Sequence, residues 1–146
     1  MGEELVQKKI YHFKCDNEGK FLKTQCYEKG EKWRWFLILS NRKYNGSQSH
    51  YLAVTISTSD RQRFGYSLIA EDILNYSQIL SIKPEFEKSK VLIDKVCRLN
   101  CKHRNNNEAF QKLPRIKLTD KGYAKITNKI KQFIDSEDGL IHMDNA

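Results

Sequence analysis

Two short segments end in residues able to work on a phosphodiester. Arg34 stands near the start of the apolar run Trp33–Leu39, and Ser57-Thr58 closes the β-branched run His50–Thr58. A third run, Val91–Leu99, carries one acid, Asp94. RNA brings its own nucleophile, the 2′-OH, so cleavage needs only three services from a protein. The hydroxyl proton must be removed, the charge on the pentacovalent phosphorane stabilised, and the leaving 5′ oxygen protonated. Arginine suits the second task because its planar fork grips phosphate in a bidentate manner and stays charged. Hydroxyls and a carboxylate can supply the rest. Each residue also has an ordinary structural explanation. Arg34 between Trp33 and Trp35 can stack in a cation–π contact, Ser57 and Thr58 are common strand residues, and Asp94 can pair with Lys95 or Arg98.

These residues must be positioned by strands. Lys9–Cys15 mixes aromatic and polar residues as a half-buried strand does. Trp33–Leu39 is almost continuously apolar, and Ser40–Ser47 follows it as a polar turn region. His50–Thr58 is a second core strand, Phe64–Ile69 a third and Val91–Leu99 a fourth, while Ile73–Ile82 fits either a strand or a helical turn. Lys20–Lys32 has no assignable pattern, and the polar stretch from Asn100 to Lys112, with its three consecutive asparagines, reads as a loop. Thr119 sits where an N-cap belongs, and Tyr123, Ile126, Ile130, Phe133 and Ile134 recur at helical spacing, with Lys125, Lys129 and Lys131 off that stripe. The expectation is a mainly β fold, a small barrel of antiparallel strands closed by a C-terminal helix. It forms one domain over residues 1–135, followed by a short acidic tail at 136–146.

A chain of 146 residues has room for one core, and 39% apolar residues suffice to fill it. Residues 135–146 hold four of the 18 acids and no Lys or Arg. The other 14 acids stand against all 26 Lys and Arg, a net +12 over residues 1–134. Such a field favours a polyanionic partner. Arg61 and Arg63 after the second core strand, with Lys95 and Arg98 on the fourth, are candidate phosphate contacts. Trp33 and Trp35 share a strand face and are candidates to stack on bases. No apolar run is long enough to cross a bilayer and the N-terminus lacks a signal pattern, so a cytoplasmic protein without a membrane partner is expected. Cys15, Cys26, Cys97 and Cys101 match neither a disulfide framework nor a zinc knuckle, which leaves free thiols as the expectation beside a weaker Cys97/Cys101/His103 cluster. Phosphate-loop, dinucleotide, zinc-protease and α/β-hydrolase signatures are absent.

The run Arg34–Ser40 with Asn41 and Asn45 resembles the segment of PemK/MazF toxins in which an Arg-Pro dipeptide opens an apolar strand ending in Ser or Thr. Leu52–Thr58 is similar to the family's next strand, which ends in a Thr-Ser pair, and Val91–Arg98 to its late strand with an Asp-Gln core. Trp35 stands in place of the Pro, Ser57 in place of the Thr, Lys95 in place of the Gln, and Leu92 where some members have an Arg. The resemblance implies an SH3-like barrel and a metal-independent, sequence-selective endoribonuclease that cuts single-stranded mRNA without a cofactor. It assigns Arg34 to the phosphorane, Ser57 and Thr58 to phosphate positioning, and Asp94 to an auxiliary base or orienting group. It also implies a homodimer and a cognate antitoxin whose acidic segment occupies the RNA groove. Two other classes remain open, a non-catalytic nucleic-acid-binding module and a gyrase-targeting toxin on the same fold. The second normally ends in a Trp, which Gly139–Asp144 lacks.

Overall fold

In the computed structural model, residues 5–15, 32–47, 50–58, 64–100 and 116–135 are described. Strands β1 (Lys9–Cys15) and β2 (Lys32–Ile38) lead through a short helix α1 (Arg42–Ser47) to β3 (His50–Ser57) and β4 (Gly65–Ser67). A 3₁₀ turn (Ala70–Asp72), helix α2 (Tyr76–Ile82) and a second 3₁₀ turn (Pro84–Lys88) follow. The chain then forms the long strand β5 (Lys90–Asn100), the brief β6 (Ile116–Lys117) and helix α3 (Asp120–Ile134). The six strands make one sheet in the order β4-β5-β3-β2-β1-β6, with every neighbouring pair antiparallel. It is a curled half-barrel capped by α3, as a small antiparallel barrel closed by a C-terminal helix requires.

The apolar run in β2 explains its central place. Phe36, Leu37 and Ile38 are all fully buried, which happens only when both sheet faces are covered. On one face Leu37 joins Ile10, Val54, Ile56 and Val91, and Ile126 and Ile130 of α3 and Phe86 pack onto them. The other face carries Tyr11, Phe36, Ala53 and Thr55. The segment entering β1 supports that side, because the backbone N–H of Val6 donates to the Tyr11 hydroxyl at 2.9 Å.

The curl closes where the chain leaving β4 meets the chain leaving β6. Ile73 bridges Leu118, the Leu74 N–H donates to the Lys117 carbonyl, and the Thr119 N–H donates to that of Asp72. Helix α3 starts from this point. Thr119 caps it, its hydroxyl accepting from the Gly122 N–H at 2.9 Å and donating to the Glu71 carbonyl at 3.0 Å. Gly122 permits the approach, since a Cβ there would lie 2.8 Å from Asp72 Cα and O. Of the expected apolar stripe, Ile126, Ile130 and Phe133 are buried, Tyr123 is half-buried and Ile134 is exposed.

Ser40–Ser47 is more ordered than a turn. Asn41 starts α1 by accepting from the Tyr44 N–H. The buried Ser40 hydroxyl donates to Asn45 and accepts from the Leu52 N–H, which locks the β2–β3 connection. Ser40 and Asn45 are therefore occupied in holding that corner. Strand β6 lies outside the segments expected from the sequence, because two residues are too few to show a period. Ile73–Ile82 resolves into a bridge residue and α2.

Candidate functional site

Antiparallel pairing decides which strand ends meet. Trp35 pairs with Ile56, and one residue further out come Arg34 on β2 and Ser57 on β3. Ser57 pairs with Lys90, and Lys90 pairs on its other side with Ser67. Ser57 is 8% exposed, and Thr58, next along the chain, is exposed. The strands thus bring Arg34, Ser57 and Thr58 to one end of the sheet and add Lys90, which the sequence reading passed over. Arg34 is described through its backbone, which pairs with Phe13. Its side chain, that of Trp33, and all of Arg61 and Arg63 lie outside the described residues.

Asp94 is placed differently. Pairing of β3 with β5 runs regularly through Val54–Val96, then resumes at Ile56–Val91, so Leu92–Lys95 bulges opposite the single residue Thr55. Asp94 and Lys95 sit in that bulge, level with Thr55 rather than with Ser57. Thr55 and Ser57 are two residues apart on β3, about 7 Å along the strand. A group sharing proton transfer must come within about 3 Å or one water. Asp94 forms no ion pair with Lys95 or Arg98 among the described residues, so the structural pairing open to it is not made. Arg98 is exposed further along β5, opposite Leu52.

Trp35 is committed within the protein. Its ring stacks on His12 with centroids 4.2 Å apart and planes 9° from parallel, meets the edge of Phe86 at 5.8 Å, and packs against the core. One indole face is therefore already occupied, which leaves little of it for a base.

A second polar cluster lies on the core side of the same sheet end. Asp72 is fully buried, and its Oδ2 accepts from the Ile69 N–H at 3.1 Å and the Tyr66 hydroxyl at 3.2 Å. Lys125 Nζ stands 3.6 Å from Oδ1. Burial and the Asp72 charge push the Tyr66 hydroxyl up to about 12, so it remains a neutral donor at ordinary pH. No sequence pattern marks Asp72, because its side-chain partners Tyr66 and Lys125 are 6 and 53 residues away.

Among the described residues no three of His, Cys, Asp and Glu converge as metal ligands. Cys101 and His103 lie outside those residues, as do 136–146. No helix among the described residues is long and apolar enough to cross a membrane. Compared with protein-family models and with curated protein sequences, the chain matches none.

Proposed function

We propose that the protein is an endoribonuclease that cuts single-stranded RNA without a metal, by attack of the 2′-OH on the adjacent phosphorus. The P–O5′ bond breaks, the 5′ oxygen takes a proton, and a 2′,3′-cyclic phosphate remains. The observation that supports this reading is the meeting of Arg34, Ser57 and Thr58 at one end of the paired strands β2 and β3. Arg34 neutralises the phosphorane, and the two hydroxyls orient the phosphate by donating to its non-bridging oxygens. Asp94, in the β5 bulge level with Thr55, is an auxiliary base or orienting group. The +12 of residues 1–134 draws RNA to the surface and suits an acidic antitoxin segment as inhibitor. In this reading the protein works in the cytoplasm as a homodimer, and its selectivity for sequence comes from contacts to bases splayed out of the strand.

Incubation of the purified protein with a long mixed-sequence RNA in EDTA tests the reading. Cuts at a short recurring sequence, ending in cyclic phosphate, are expected, and Arg34→Ala should slow them about 100-fold or more, the scale of losing one transition-state charge contact. The place of Asp94, level with Thr55 and not with Ser57, favours a second reading, a binding module on the same barrel with no acid level with Ser57 among the described residues. Intact RNA that stays tightly bound selects it.

A further inference from the structure

We infer that Lys90 is a second phosphate-binding residue of this sheet end, holding the RNA phosphate next to the one gripped at Ser57. The inference rests on RNA as the ligand of the site, not on its cleavage. Lys90 lies in one cross-strand row between Ser57 of β3 and Ser67 of β4. Directly paired residues of antiparallel strands share a face with Cβ atoms about 5 Å apart, so a cation is flanked by two hydroxyls. Gly65, one diagonal step away on β4, gives the lysine stem its seat. A Cβ on Gly65 would come within 3.1 Å of both Cβ and Cδ of Lys90, so the stem lies directly over this glycine and is braced along the sheet.

Two further observations point to an anion. Lys90 is partly buried yet forms no ion pair among the described residues, although Glu85 and Glu87 are close in sequence. Thr55 is two residues from Ser57 on the same strand face, is 3% exposed, and its hydroxyl has no hydrogen-bond partner among the described residues. One cation between two serines, with no carboxylate in the row Ser57–Lys90–Ser67 and Asp94 outside it level with Thr55, is the chemistry of a phosphate site. Lysine acts there as a point charge, which suits a flanking phosphate and leaves the bidentate task to arginine.

The test uses mixed-sequence 2′-O-methyl RNA, which lacks the nucleophile and cannot be cut, with binding followed by fluorescence anisotropy over a salt series. Lys90→Gln should weaken binding and lower the slope of log affinity against log salt by about 0.7, the share of one phosphate contact on a single strand. Lys90→Arg should keep the slope. Gly65→Val, which alters no charge, should weaken binding by displacing the lysine stem. Lys88→Gln, on the exposed 3₁₀ turn, removes the same charge outside the row and should have a smaller effect. Equal effects of Lys88→Gln and Lys90→Gln, an unchanged slope in Lys90→Gln, or no binding by the unaltered protein would overturn the inference. Lys90-dependent binding of RNA that the protein leaves intact overturns cleavage alone, whereas cleavage and binding indifferent to Lys90→Gln overturn the role of Lys90 alone.

Discussion

Tyr66 and Ser67 are consecutive residues of β4, yet the pleat sends them into two different polar environments. Tyr66 turns to the core side and donates to the buried Asp72, whose own backbone and side chain hold the Ile69 N–H, the Thr119 N–H and the start of α3. Ser67 turns to the other side, beside Lys90 and Ser57, where a lysine has no acid and a threonine hydroxyl has no partner among the described residues. The first group spends its polar atoms on closing the half-barrel. The second sets Lys90, which has no ion pair among the described residues, between two serines, the row proposed above to hold a phosphate. Stability and binding should therefore separate by face, although the two clusters are one residue apart.

Gly122→Ala strikes the closing side hardest. Alanine normally favours a helix interior by about 1 kcal/mol over glycine. Here its Cβ would meet Asp72 backbone at 2.8 Å, so the clash decides the sign. A net loss of about 2 kcal/mol is expected from urea denaturation, the scale of overpacking. A gain in stability would mean that α3 does not press on this junction. Thr119→Ala removes a cap and the bond to Glu71, and should cost about 1–2 kcal/mol in the same measurement.

Tyr66→Phe sharpens the contrast through pH. The folded Tyr66 hydroxyl lies near 12 against an ordinary value of 10. The protonated form is therefore favoured by folding, and that contribution is complete below pH 10 and is lost as pH rises from 10 to about 12. The stability difference between the native protein and Tyr66→Phe should shrink across that interval, and a constant difference would sever Tyr66 from the Asp72 cluster. Lys90→Gln should change stability least, by no more than about 0.5 kcal/mol. A larger loss would place Lys90 among the closing residues and end the comparison.

That Arg34, Ser57 and Thr58 come to one end of the sheet was legible because each ends or begins a run whose apolar content marks a strand, and antiparallel neighbours bring such ends together. Lys90 was not legible. It closes a charged stretch, Lys83–Lys90, and reads as solvated surface until pairing puts it opposite Ser57. Asp94 shows the converse, because an acid in the expected strand lies in a bulge, level with Thr55, that no period reveals. Trp35 could be assigned to a face, but not to the His12 stack, since His12 lies on another strand.

The amino-acid order by itself determined the strand-forming runs, the capped helix from Thr119 and the basic charge, because these depend on propensity, local period and counting. Only the tertiary structure decided which ends became neighbours, where β5 bulges, and which buried acid holds the half-barrel shut. Those outcomes depend on pairing between residues far apart in the chain, and a shift of one residue in register moves every side chain of a strand to the opposite face.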